Sequence, residues 1–459
     1  MTRPLVRHPV VLTPLSPIHI GSGEELDWTR AVPDPARSQL MVFDPLRLTL
    51  TDQALNQMEQ VIQGGQADSV IRLQRILSAN FRLLEQGEVG RLDLTQTEYG
   101  RIRDRFGRNV QANQPGAGQV ANEIAIARHA LTPEGQPYVP GSSLKGALRT
   151  AEVARRDGAP RGEGPRPVDE TTDRGKPVWH DPADRLLGRF ADSPFARLFV
   201  SDLVPAQRFR GLVAEVRNER RRPVEGRGPK GVPVRVELIP PFIAGALRGD
   251  IREHGVRGEK DRDQKFLAVG DLLRTAHAFH LRLFDFFKGE LERADRNLPP
   301  GWLGAVRQLL AEEAVASAIR EGRAALVRLG KFCSAESKTV EWRAVRIPQA
   351  ARTGGQEWVL HPYTLWLADL GAYRLPLGWA LIELADAPCE PVGRFCERWA
   401  AEGRLTGHMP TSGFNPAVGM RVRVGERAGK IVYEEDGVFT VETDDGDEVD
   451  ARPQDLRPE

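Results

Sequence analysis

The segment Pro137-Tyr138-Val139-Pro140-Gly141-Ser142-Ser143-Leu144-Lys145-Gly146-Ala147-Leu148-Arg149-Thr150 places a strand end, a Gly/Ser turn and a basic helix start in immediate succession. That layout suits phosphate. Ser142 and Ser143 are good helix caps, and the backbone N–H groups of Gly141 to Lys145 can point outward where the helix dipole favours an anion. Apolar Leu144, Ala147, Leu148 and Ala151 recur at helical spacing, leaving Lys145, Arg149, Glu152 and Arg156 on a second, mostly basic face. The plain alternative is a capped surface helix after a Pro-rich turn, since capping signals are common.

Other segments offer further chemistry. Residues 217–231 carry Arg217, Arg220, Arg221, Arg222 and Lys230 in a Gly/Pro-rich run, and Gly330 to Thr339 carries Lys331 and Lys338 in a strand-to-turn junction. The junction has a superficial likeness to a P-loop, but Glu336 precedes Lys338 and no Gly-Lys-Ser/Thr triplet closes it, so nucleotide hydrolysis is not expected. His277 and His280 lack the H-E-x-x-H spacing and read as helix-face residues. Cys333, Cys389 and Cys396 form no C-x-x-C pair, and their odd number argues against a disulfide framework; they read as buried or idle thiols. No metal and no cofactor are expected. His19, in an apolar run, reads as structural, and a role as general base would require a lysine beside it.

The elements that must position these groups follow from periodicity. A β-rich run from His8 to Ile20 ends at Gly21-Ser22-Gly23, a small-residue loop, and a second strand is expected at Leu40 to Phe43. From Leu46 to about Arg105 the apolar spacing is helical and reads as an insertion. Gly, Pro, Arg and Asp crowd Asp157 to Lys176, which reads as a loop. Strands are expected at Leu198 to Leu203, Leu212 to Val216 and Val232 to Ile239, the last two flanking the basic run as a long hairpin. Helices are expected at Val269 to Leu291 and Trp302 to Arg323, a strand-like segment at Leu326 to Gly330, and a final strand within Leu375 to Leu384. Beyond Gly413, short alternating runs with turns at Gly425, Gly429, Asp436-Gly437 and Asp445-Gly446 fit a small SH3-like or Tudor-like β-barrel.

The chain has 459 residues, enough for two or three domains; we place boundaries at 1–200, 201–410 and 414–459. With 40% hydrophobic and 7% aromatic residues it reads as globular. Without a long apolar run or a signal-peptide core, a cytoplasmic protein is expected, with no membrane partner. The net charge of +1 conceals asymmetry: Pro205 to Arg235 holds nine Arg or Lys against three Glu, whereas Val418 to Glu459 holds six basic and twelve acidic residues. Arginine supplies 55 of the 64 basic residues, which suits bidentate phosphate contacts, although a codon bias would produce the same excess.

Three separated segments, Ser16-Pro17-Ile18-His19-Ile20-Gly21-Ser22-Gly23, the Pro140 to Arg149 motif and the Gly330 to Thr339 turn, together resemble the RAMP superfamily of CRISPR-associated RNA-binding proteins. Their order and spacing are most similar to the Csm subunit-five family of type III-A complexes, over roughly residues 8–390. The resemblance implies an α+β fold of tandem ferredoxin-like, RRM-related units. It implies a subunit that binds guide RNA (crRNA), caps the backbone filament near the guide 3′ region and supports crRNA maturation and antiviral defence. Implied partners are crRNA and, through it, target RNA, with backbone RAMP and small helical subunits; host nucleases are a further partner class. The contacts expected are Gly141, Ser142, Ser143, Lys145 and Arg149, with His19, Gly21 and Ser22, Lys331 and Lys338, and the Arg217 to Lys230 hairpin as a thumb against the guide–target duplex. The turn departs from the family in having Phe332, Cys333 and Ser334 where glycines are usual, which weakens the expectation of a close backbone approach there. The acidic C-terminal barrel lies outside the family pattern and reads as a protein-contact module. The rival reading is an RNA endonuclease, for guide processing or target cleavage, with Asp27 or His19 catalytic; Asp27 lacks the Gly-x-Asp context of target-cutting relatives. Another type III RAMP backbone subunit is the remaining alternative.

Overall fold

The computed structural model describes the chain except residues 1–4, 66–68, 107–124, 159–169, 174–175, 180–185, 189–192, 222–231, 254–266, 294–296, 339–344, 349–355, 360–361, 372, 402–419, 426, 436–437, 452–455 and 459. The hairpin tip with Arg222 and Lys230, Thr339 and most of the Asp157 to Lys176 loop therefore lie outside the described residues. The chain divides into two units, Met1–Glu25 with Ile126–Thr406, and Leu26–Ala125 with Gly407–Glu459. Both mix helices and strands in an α+β architecture.

In the first unit the strand Val6–Pro14 lies at the centre of an antiparallel sheet ordered Val204–Pro205, Leu247–Glu253, Val6–Pro14, Trp379–Glu383, Ala324–Arg328, with Leu198–Val200 also on Leu247–Glu253. Two of its strands read as unbroken apolar runs, Ala324-Ala325-Leu326-Val327 and Trp379-Ala380-Leu381-Ile382, because both of their faces are covered. Ala325, Val327, Ala380 and Ile382 share a core with the helices Gly141–Asp157 and Val269–Arg293, through Leu144, Leu148, Leu272 and Leu273. Leu326, Trp379 and Leu381 point the other way, into a core with Phe284, Phe287 and Trp302. That second core is shared with a further sheet, in which Leu212–Arg220 pairs antiparallel with Val234–Leu238 and with Thr364–Asp369, while Ile126–His129 runs parallel to Val234–Leu238.

Several sequence expectations are corrected. Gly21-Ser22-Gly23 is no loop; it opens the strand Gly21–Leu26, which lies beside Ile126–His129, and the Ala130 N–H donates to the Ile20 carbonyl at 2.7 Å. The helix expected over Trp302 to Arg323 is two, Trp302–Ala311 and Glu313–Arg320, because Glu312 takes an extended backbone (φ −55°, ψ 128°). The final strand region is likewise two pieces, Arg374–Pro376 and Trp379–Glu383, separated at Gly378 with φ +92°. A helix at Glu390–Ala401 and the strand Thr364–Asp369 complete the unit.

In the second unit the insertion is not wholly helical. Helices Asp52–Gly64, Ser69–Ala79 and Gln96–Arg105 accompany a meander of Ala31–Pro33, Gln39–Phe43 and Glu88–Leu94. A half-buried Arg91 holds the meander, donating to Glu88 at 2.8 Å and to Asp34. The C-terminal residues form a five-stranded antiparallel sheet ordered Glu448–Ala451, Val438–Thr443, Arg427–Glu435, Arg421–Val424, Leu456–Pro458, around Val422, Ile431, Phe439 and Val441. Among the described residues no helix is long and apolar enough to cross a membrane.

Two tests follow from this packing. A methyl group on Gly141 would lie 2.1 Å from the Val200 carbonyl oxygen, whereas one on Gly146 would meet nothing within 4 Å. Gly141→Ala is expected to destabilise the protein by about 1–3 kcal/mol, and Gly146→Ala to stabilise its helix by up to about 1 kcal/mol; equal denaturation midpoints for the two variants would refute the close packing at 141. Burial also pushes the pKa of His129 and of His280 down to about 3. The unfolded chain protonates these rings near pH 6.5 and the folded chain does not, so this stability is fully present above that pH and declines as pH falls toward 3. Each ring should cost up to about 1.4 kcal/mol per pH unit in that window. Denaturation at about pH 7 and about pH 5 measures the loss, and a flat profile would exclude it.

Candidate nucleic-acid interface

The helix Gly141–Asp157 begins without a side-chain cap. Pro140 is its N-cap residue, Gly141 is already helical, and Ser142 and Ser143 lie in the first turn instead of capping it. The Gly141 N–H donates to Asp202 Oδ1 at 2.8 Å and the Ser143 N–H to the Pro140 carbonyl at 2.8 Å. The anion at this helix start is thus the protein's own carboxylate, which corrects the expectation of a row of outward N–H groups. Gly141 is required for close packing on Val200 and Ser201.

Most of the face expected to be basic is also spent internally, at Lys145, Glu152 and Arg156. Lys145 Nζ donates to the Leu198 carbonyl at 2.7 Å, and its burial lowers its pKa. Glu152, almost fully buried, accepts from both Arg155 and Arg156 at 2.7 Å. A different face of the helix, Ser142, Ser143, Gly146 and Thr150, lines a cleft of about 300 Å³ whose other wall is Gly330, Lys331, Ser337 and Lys338 and whose floor is Ile20 and Gly21. Lys145 and Arg149 are not among its lining residues. The three motifs separated by more than a hundred residues each therefore converge, but on serines and lysines.

Long-range hydrogen bonds hold the walls together. His129 accepts from the Ile20 N–H at Nδ1 (3.1 Å) and donates through Nε2 to the Tyr138 carbonyl (2.9 Å), joining the cleft floor to the residues just before the helix. The Lys331 N–H donates to the His19 carbonyl at 2.8 Å. His19 itself has no exposure; its Nδ1 donates to the Glu237 carbonyl at 2.7 Å, and burial lowers its pKa. It is a neutral ring beneath Gly21, so the expectation that it contacts RNA is not met. Ser22 is exposed on its strand and donates to the Arg128 carbonyl at 3.3 Å. Asp27 accepts from the Thr29 N–H at 2.9 Å within its own turn.

Beyond Gly330 the turn takes backbone conformations that favour glycine at two residues that are not glycine. Gly330, Phe332 and Ser334 all have left-handed backbone, with φ of 94°, 65° and 63°. For the two non-glycines this costs on the order of 1–3 kcal/mol each and persists only where surroundings over-determine it. The Phe332 ring stacks on His19 with centroids 5.6 Å apart and leans on Trp366 at 4.8 Å. Cys333 Sγ donates to the Leu329 carbonyl at 2.7 Å, and Ser337 Oγ to the Cys333 carbonyl at 2.8 Å. Cys333 is buried but not idle.

Cations differ sharply in their partners. Arg217 pairs with Glu215 and lies 3.9 Å from Asp369, and Arg220 ends its strand opposite Thr364. Arg221 is buried between Glu290 and Glu336, which removes it from the RNA-facing set. Lys331 and Lys338 are exposed and meet no carboxylate among the described residues. His277 accepts from the Leu326 N–H at 3.2 Å and His280 is wholly buried, so both face the core. Among the described residues no group of three His, Cys, Asp or Glu side chains could hold a metal ion. Asp202 and His129, both invisible to local pattern reading, are the site residues that the sequence did not mark.

The cleft thus offers hydroxyls, a glycine floor and two ammonium groups that meet no carboxylate among the described residues, with Lys331 Nζ 5.3 Å from the Phe332 ring centroid; such donors suit a ribose–phosphate chain. No curated protein matches the chain. Among solved structures it is similar to a chain in a cryo-EM structure of a Csm–crRNA–target RNA ternary complex of a type III-A CRISPR–Cas system, at 17% identity and TM-score 0.41, covering 83% of this chain and 100% of that one. It is also similar to Csm5 of T. onnurineus, at 17% identity and TM-score 0.41, covering 81% of this chain and 99% of that one. The sequence model of the RAMP superfamily matches residues 11–305, more than half of the chain and including both the Ser16 to Gly23 and the Pro140 to Arg149 motifs. The chain belongs to the RAMP superfamily.

Proposed function

We propose that this protein is a non-cleaving, guide-RNA-binding subunit of a type III-A CRISPR effector complex, capping its backbone filament near the guide 3′ region. The observation that carries the reading is the cleft in which Gly21, Ser142, Ser143, Lys331 and Lys338 converge. Phosphates would meet the two lysines, and 2′-hydroxyls the serines, without any need to read bases. The order of the three motifs supports the Csm subunit-five assignment, and with it crRNA, target RNA and other type III subunits as partners in the cytoplasm. The absence of cleavage is supported by the engagement of both candidate groups, His19 with Glu237 and Asp27 with Thr29.

The same reading extends to the fold. In chain order Val6–Pro14, Gly141–Asp157, Leu198–Val200, Leu247–Glu253, Val269–Arg293 and Trp379–Glu383 follow a βαββαβ path, with Ala324–Arg328 as an added outer strand. We assign it as one ferredoxin-like unit, the sheet around Leu212–Arg220 as its tandem partner, and the C-terminal five strands as an SH3-like protein-contact module.

The test is purification of the complex carrying Lys331→Ala with Lys338→Ala, followed by RNA extraction and sequencing. Guide RNA should be depleted or shortened at its 3′ end. For the isolated protein the slope of log affinity against log salt should fall by about 0.7 per lysine removed, while Lys145→Ala leaves the slope unchanged. Unaltered guide occupancy and length in the double variant would overturn the cleft as the contact.

A further inference from the structure

Arg221 stands in the most basic run of the chain, yet only 8% of it is exposed. Its Nη1 donates to Glu290 at 2.6 Å, its Nη2 to Glu336, and its guanidinium lies over the rings of Phe287 (5.0 Å) and Phe286 (5.6 Å). Its backbone N–H donates to the Tyr363 carbonyl at 2.9 Å, continuing the pairing of Leu212–Arg220 with Thr364–Asp369. A guanidinium is buried in this way only when carboxylates replace the water it has lost.

Those carboxylates come from different places. Glu290 belongs to the helix Val269–Arg293, but Glu336 belongs to the short turn Ala335–Ser337, inside the segment that carries the two cleft lysines. Arg328, also buried, stacks on the same Phe287 ring at 4.2 Å, and its burial lowers its pKa. Glu336 is therefore the buried carboxylate through which Arg221 holds the C-terminal side of the turn that contains the strained Phe332 and Ser334.

We propose that Arg221 is a positioning residue: through Glu336 it fixes the Lys331 to Lys338 turn to the root of the basic hairpin, setting both lysines for RNA without touching RNA itself. The role in binding rests on the reading of the cleft as an RNA site; the role in holding the turn does not.

The experiment uses the full chain with Arg221→Met, Glu336→Gln and both together. A fluorescently labelled single-stranded RNA of mixed sequence is titrated over a salt series, alongside hydrogen exchange and thermal melting. Each single variant should weaken RNA binding roughly tenfold and the double variant no further, because the two residues act as one unit. The salt slope should stay unchanged, and exchange should accelerate at the Lys331 and Lys338 amides but not in the helix Gly141–Asp157. If Arg221→Met does not fold, Glu336→Gln, which keeps the shape of the side chain, decides alone. Tighter binding in Glu336→Gln, or a slope lowered by about 0.7 in Arg221→Met, would make Arg221 a direct phosphate contact and overturn the proposal. Unchanged exchange in the turn would overturn it as well. Should the wild type fail to bind RNA, the reading of the cleft falls, and exchange in the turn still decides whether Arg221 positions it.

Discussion

Residues 15–20 cross the first unit as non-repetitive backbone that is buried for most of its length, where water cannot serve the N–H and C=O groups. The N–H groups of Leu15 and Ser16 donate to the Trp379 carbonyl, Ser16 Oγ accepts from the Trp379 N–H, and the Pro17 carbonyl accepts from Gly378. Ile18 exchanges two bonds with Ile239, in a different sheet region, and the His19 and Ile20 carbonyls receive Lys331 and Ala130. Pro14 and Pro17 remove two donors that would otherwise need partners in a crowded place. One short stretch thereby ties both sheets of the unit to the turn and to the cleft floor, and the remaining geometry is built around it.

Charge is divided along similar lines. Arginines do the internal work: Arg91, Arg221 and Arg156 each bond carboxylates while their flat faces or stems are packed. A planar fork with several donors suits that task, since one side chain can satisfy two acids. Lysine, a compact point charge on a flexible stem, supplies the exposed cations of the cleft, Lys331 and Lys338, while Lys145 is held by the Leu198 carbonyl. The abundance of arginine in the sequence is thus a poor guide to which cations stay exposed.

Much of the architecture was legible because it is periodic. The helix Gly141–Asp157, the helix Val269–Arg293 and the pair Leu212–Arg220 with Val234–Leu238 are written in local apolar spacing. Glu390–Ala401 carries the same signature, in Val392, Phe395, Cys396 and Trp399, and was within reach of it. The motifs that converge on the cleft were also legible, but the face of the helix that serves it was not. Which face is wet depends on Asp202 and Leu198, which lie far along the chain from Gly141 and Lys145. Arg221 illustrates the same limit: nothing near it in sequence announces Glu290 or Glu336, so a buried strut reads as one more surface cation.

The turn combines parts that can vary with parts that cannot. Gly330 cannot take a side chain beneath the His19 carbonyl, and Gly378 cannot take one against Cys333 Sγ and the Leu329 carbonyl. Lys331 and Lys338 are exposed on that frame and pair with no carboxylate among the described residues; the Lys331 ammonium lies over the Phe332 ring. Over evolutionary time, descendants of this chain can therefore exchange the two lysines one substitution at a time while the path of the backbone stays fixed. On the proposed reading of the cleft, grip strength becomes an adjustable trait on an inherited frame, open to selection without passing through a misfolded ancestor.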